Sequence, residues 1–282
     1  MSNALATIIQ NSNLVELGID DDTKAVAGGS VNATKRISIE GRVFRKIVAG
    51  KEQSVNTNNE MSIIFVKMAH DASRTFYKST YKKGVKVAPV CWSSNSKTPD
   101  ADVTDPPAAS CAECPNSVKG SGQGGQGTAC RLSWRTAVVL PGDPGGDVYQ
   151  LVLPATSAFG KEENSRWPFR PYIQMLANNN VSAGRIITKM QFDINSPVPR
   201  LLFSPEAAVP SDLRDIITSQ SKSAAAENAV KLTVYKADAQ GAEEAPEQPE
   251  TDVPEPSVRQ TTKRTVEKAE DVSDIVKKWT KK

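Results

Sequence analysis

The stretch KRISIEGRVFRKIVAG, residues 35–50, sets Ile37, Ile39 and Val43 in alternation against Arg36, Ser38, Glu40 and Arg42. A period of two belongs to a strand with one face in a core and the other in water, so this stretch opens a β-rich body. Reading outward, EMSIIFVKMA (60–69) is a second strand, apolar on both faces. SWRTAVVLPGD (133–143) is a third, stopped at Pro141-Gly142, and DVYQLVLPA (147–155) returns beside it through a Gly-rich turn as a hairpin. WPFRPYIQMLANNN (167–180) predicts a helix with Tyr172, Met175 and Leu176 toward the core, and RIITKMQFDI (185–194) and PRLLFS (199–204) are two more strands. Residues 210–235 read as helical, from Ser211 as cap through Leu213, Ile216 and Ile217, with a second segment near Ala224 to Val234. Short strands with a helix between the third and fourth predict an α+β fold, mainly β, built as an OB-like barrel.

Composition places limits around that body. Hydrophobic residues make up 38% of the 282 and charged residues 24%, too little apolar content for a chain packed throughout. The deficit lies at the C-terminal end. Residues 237–258 hold seven acids and no Lys or Arg, and their Pro, Glu and Ala cannot repay the entropy of folding, so an extended, disordered linker is expected. Residues 259–282 carry eight basic and four acidic residues, with Val266, Ala269, Val272, Ile275, Val276 and Trp279 on one helical stripe. The expected layout is an N-terminal arm (1–34, with a short helix near residues 4–17), a core (35–205) containing an insertion (88–132), a helical segment (206–236), the acidic linker and a basic amphipathic terminal helix. No apolar run approaches the roughly 18 residues of a membrane span, and the start, MSNALATIIQNSN, lacks the basic region of a signal peptide. A cytoplasmic protein with no membrane partner is therefore expected.

All four cysteines fall between residues 91 and 130, as Cys91, Cys111, Cys114 and Cys130 in the pattern C-x19-C-x2-C-x15-C. A CxxC turn lets two thiolates grip one ion, and four soft anionic ligands suit tetrahedral, structural Zn2+. The alternatives are unrelated buried thiols or a redox CxxC, which here lacks its usual βαβ setting. The intervening WSSNSKTPDADVTDPPAAS is almost without apolar residues, so a zinc staple accounts for it. With four protein ligands no position remains open for catalysis.

Catalytic patterns are absent from the sequence. The single histidine, His70, ends an apolar strand, and no Ser/His/Asp or Cys/His set assembles around it. Gly122, Gly124 and Gly127 match G-x-G-x-x-G but follow a cysteine loop in place of a strand, so they read as a flexible loop. An enzyme would require acids such as Asp71 and Asp193 to share a cleft.

Cations and aromatics interleave in three places: Lys35, Arg36, Arg42, Phe44, Arg45 and Lys46; then Arg74, Phe76, Tyr77, Lys78, Tyr81, Lys82 and Lys83; then Arg131, Trp134 and Arg135. A cationic groove that tracks phosphates beside flat side chains that stack bases is how single-stranded nucleic acid is held. Tyr77, Tyr81 and Trp92 are the preferred stacking residues because their neighbours are polar. The alternative is that Phe44, Phe76 and Trp134 are core residues beneath a solvated cationic face.

The first-strand motif KRISIEGRVFRKI, the segment SRTFYKSTY (73–81) before a Cys-Trp, CAECPNSVKGSGQGGQGTACRLSWR (111–135) and YQLVLPATSAFG (149–160) together resemble single-stranded DNA-binding or replication-associated proteins of tailed bacteriophages, with an OB-like core. The resemblance covers about residues 28–205. It implies a protein of the host bacterial cytoplasm that coats single-stranded DNA in phage replication or recombination and recruits replication proteins through its tail. This chain departs from the acidic C-terminal tip common among such proteins, because its acidic block is internal. The leading expectation is a non-catalytic single-stranded DNA-binding protein, with Ile275, Val276 and Trp279 docking on a partner. The alternative is a polymerase- or replisome-binding protein that recruits partners through its zinc module and terminal helix without holding DNA.

Overall fold

The alternating stretch at residues 35–50 is folded back on itself in the computed structural model, which describes residues 35–78, 87–125 and 127–234. β1 (Lys35–Ser38) and β2 (Phe44–Val48) pair antiparallel, Lys35 opposite Val48 and Ser38 opposite Arg45. The expected single strand is thus a hairpin. Its turn, Glu40–Arg42, puts Gly41 at φ +65° and Arg42 at φ +57°, and glycine enters that left-handed region without a Cβ clash. A second turn, with Ala49 at φ +50° and Gly50 at φ +74°, leads into β3 (Lys51–Asn56), which the sequence reading left out. Positive φ at both central residues suits the twist of a two-residue hairpin.

The centre of the sheet is β4 (Glu60–Met68), β7 (Cys130–Val139) and β8 (Tyr149–Pro154). Along one side, β7 pairs with β4 and then with β5 (Ser73–Phe76), which carries β6 (Cys91–Ser93) on its far edge. Along the other side β7 pairs with β8 as the expected hairpin, and β8 runs parallel to β1. After α1 (Ala155–Ala158) and α2 (Phe169–Asn178), β9 (Ile186–Phe192) and β10 (Leu201–Ala208) complete the order β10-β9-β4-β7-β8-β1-β2-β3. Five strand steps separate β9 from β2, roughly 24 Å in a flat sheet. Yet the rings of Phe44 on β2 and Phe192 on β9 lie 4.6 Å apart. The sheet is therefore strongly curled, and the fold is α+β, mainly β.

Two cores follow from β4, whose Ile63, Ile64, Phe65 and Val66 are all buried. Ile63 and Phe65 face the concave side with Phe44, Leu151, Leu153 and Phe203. Helix α2 enters that side with Phe169, Tyr172 and Leu176, as its spacing requires. Tyr172 and Thr188 share a buried hydroxyl hydrogen bond of 2.9 Å. Ile64 and Val66 face the opposite side, under α3 (Arg214–Ser221) and α4 (Ala224–Val230). Ser211 does not cap these helices; Ser223 does, its Oγ accepting from Ala226 N at 3.2 Å. Among the described residues no helix is long and apolar enough to cross a membrane. The N-terminal arm, Tyr81, Lys82, Lys83, the acidic linker and the terminal helix with Ile275, Val276 and Trp279 lie outside the described residues.

Candidate thiol cluster and nucleic-acid interface

The register of β6-β5-β7 sorts the expected site residues onto two faces. Phe76 is opposite Cys91 on one side and Cys130 on the other, so both thiols share its face, together with Arg74 and Ser93. The chain from residue 94 to 110 folds over that face through side-chain turns. Asp100 accepts from Ser94 N and Oγ, and Asn95 accepts from Lys97 N and Thr98 N. These bonds order a loop that has few apolar residues. Cys111 enters with its N–H donated to Lys97 O at 2.9 Å, and Cys114 leads a single turn whose Ser117 N–H returns to Cys114 O at 2.9 Å.

All four cysteines are free thiols, buried, and line one small pocket with Arg74 and Ser117. The pocket, whose lining also includes Phe76, Trp92 and Pro107, has a volume of about 10 Å³, room for a single small atom or ion. Burial pushes the Cys130 thiol up to about 11; Arg74 opposes this, while the other three thiols add to it. Cys91 is raised by burial, then by Cys111 and Cys114. Two polar atoms on this pocket, Arg74 Nε and Ser117 Oγ, are buried without a hydrogen-bond partner. Among the described residues, no three or more His, Cys, Asp or Glu side chains are grouped as a ready metal-ligand set. All four thiols nonetheless line the same pocket.

The other face of the same strands carries Trp92, Thr75 and Arg131 in register, with Tyr77 one pleat beyond Thr75. Arg131 is exposed over the residue as a whole, yet partial burial of its guanidinium lowers its pKa, with Tyr77 opposing, while Trp92, Thr75 and Tyr77 are half-buried. Trp92 Nε1 donates to Asp102 Oδ1 at 3.1 Å, which fixes its indole at the edge of the insertion. Arg135, further along β7 on this face, is buried beside Ser73 and Ser133.

Most of the remaining expected contacts are engaged in the fold. Phe44 is 1% exposed and packs on Phe192, so it is a core residue and not a base-stacking one. Trp134 is likewise a core residue, 5.7 Å from Phe169 between ring centroids, with its Nε1 donating to Ala69 O at 2.8 Å. Lys35 pairs with Asp147, Arg42 donates to Ser196 O, and Arg45 pairs with Glu52 at 3.0 Å. Arg36 and Lys46 are half-buried on β1 and β2. β8 lies between the β1 cations and Arg131 on β7, and β8 and β1 between the β2 cations and Arg131, so the first cluster is not edge to edge with the other two. Asp71 and Asp193 do not share a site either: Asp193 pairs with Arg200 at 3.0 Å and Asp71 with Lys97 at 3.7 Å. Sequence reading missed Ser117 beside the thiols and Thr75 in the aromatic row, because cross-strand register leaves no mark in local sequence. Set beside known proteins, the chain matches no protein-family model, no curated protein and no solved structure.

Proposed function

We propose that this is a non-catalytic single-stranded DNA-binding protein, acting in phage replication or recombination, whose OB-like barrel carries a zinc-stapled insertion. The observation that carries the reading is the in-register row Trp92–Thr75–Arg131 with Tyr77 beside it. It places two half-buried flat rings and a cation on one sheet face, the combination that holds bases and phosphates of a single strand. The curled sheet, with a helix between β8 and β9, supports the OB-like reading.

For the insertion, Cys91, Cys111, Cys114 and Cys130 would hold structural Zn2+. The donor set fits a soft, tetrahedral ion, and the pocket has the room of one. Arg74 Nε and Ser117 Oγ, both without partners, are the donors that thiolate sulfurs would accept from, and the Arg74 charge offsets their negative charge. The zinc would then fix β6 and hence the angle at which Trp92 is presented.

Titration of the protein into fluorescent oligo-dT and a matching duplex at two salt concentrations tests this. Tight binding that favours the single strand and falls steeply with salt is expected. Trp92→Ala and Tyr77→Ala should each weaken it by about 1–3 kcal/mol. Absence of binding at low salt would end this reading and leave the partner-recruiting one.

A further inference from the structure

Arg135 is a buried cation without an anion. It is 6% exposed, in the interior of β7. Its Nη1 donates to Ser73 Oγ and, at 3.5 Å, to Ser133 Oγ, while its Nε is buried with no partner. Among the described residues no carboxylate pairs with it. Burial lowers its pKa to about 10, with Tyr77 opposing, so the guanidinium is charged at neutral pH. Neutral hydroxyls do not balance a buried charge, and a fold that keeps one supplies it with an anion or loses stability.

The room for that anion is present. Arg135 lines a cavity of about 290 Å³ with Asp71, Ser73, Ser94 and Lys231, near the lower end of small-ligand sites. Asp71 brings a negative charge to this wall, but it is paired with Lys97. Lys231 is exposed and follows directly after α4, placing a second cation on the lining. Two cations suit a phosphate group, which carries nearly two negative charges at pH 7, better than a carboxylate, which carries one. The planar fork of arginine, with adjacent hydroxyls, matches phosphate oxygens.

We propose that this cavity is a binding site for a phosphate-type oxyanion, held by Arg135 and the Ser73 hydroxyl with Lys231 completing the charge. The site shares a sheet face with the Trp92–Thr75–Arg131 row but uses none of its residues, so it stands without the single-strand reading. The phosphate is either free or the terminal group of a nucleic-acid strand.

Thermal unfolding of the full chain in sodium phosphate or pyrophosphate, against sodium chloride at matched ionic strength, tests the proposal. A saturable rise in Tm specific to the phosphates is expected, and Arg135→Gln should abolish it. Lys231→Glu, at an exposed position outside the core, should raise the half-saturating phosphate concentration several-fold, which covers the case that Arg135→Gln fails to fold. An equal response to chloride, or a phosphate response unchanged in Lys231→Glu, would overturn the site. Oligo-dT with and without a 5′-phosphate separates the sources. Preference for the phosphorylated strand, lost in Lys231→Glu, assigns the site to a strand end; equal binding of both, with the Tm response to phosphate retained, assigns it to free phosphate. Loss of all oligonucleotide binding with the Tm response intact would remove the single-strand reading alone.

Discussion

Phe44 lies between Val43 and Arg45 in a cationic stretch, yet its ring is a keystone of the curl, touching Phe192 across the concave core. Phe44→Ala should cost about 3–5 kcal/mol in urea unfolding, because the cavity sits where rigid strands cannot close over it. A loss below about 1 kcal/mol would show that the ring is not the contact that closes the sheet. Cys130 gives a second residue-level test, in the reduced, metal-free protein. Its thiol is raised to about 11 by burial, so the folded state favours the neutral form. The unfolded chain, titrating near the ordinary thiol value of about 9, holds fewer protons above that pH. Stability should then be full below about pH 9 and fall as pH rises toward 11. Chemical denaturation across that window measures it, and Cys130→Ala should flatten the slope. Neither property was legible one residue at a time: Phe44 and Tyr77 both sit among cations in the sequence, and only burial separates them.

Among the elements, the insertion after β6 shows how much order polar residues supply without a core. Asp100, Asn95 and Asp102 close its turns, and Val103 is buried within it. Under the zinc reading, these bonds set the loop and the metal locks it to β5 and β7. Cys111→Ser should release zinc and open residues 94–129 to limited proteolysis while the β4-β7-β8 sheet keeps its far-UV signal. Stoichiometric zinc retained in that variant would count against the four-cysteine site. The strands themselves were legible to different degrees. β4, β7, β8, β9 and β10 announce themselves by apolar runs, since each is buried on at least one face. β3 and β5 do not: KEQSVN and SRTF hold polar residues and are strands because neighbouring backbones offer them hydrogen bonds.

For the whole molecule, the two faces of the β6-β5-β7 sheet, thiols on one and the Trp92–Thr75–Arg131 row with Arg135 on the other, frame how the tail enters. If the described body holds the single strand, deletion of residues 237–282 should leave oligo-dT affinity unchanged or raise it, because the segment removed carries eleven acids against eight bases and so takes away net negative charge that competes for cations. If the chain instead works by recruiting a partner, the same deletion should abolish its activity, and pull-down against a replisome separates the two. The sequence by itself determined the class of the fold, its central strands, helix α2 and the concentration of four thiols in one segment. These follow from periodicity and spacing, which are local properties. Only the tertiary structure decided that residues 35–50 are a hairpin, that Phe44 and Trp134 serve the core, and that Trp92, Thr75 and Arg131 form a row. It also decided that Arg135 stands buried without an anion. The reason is physical: which face a side chain takes depends on strand register and sheet curl, and both are set by contacts among residues far apart in the chain.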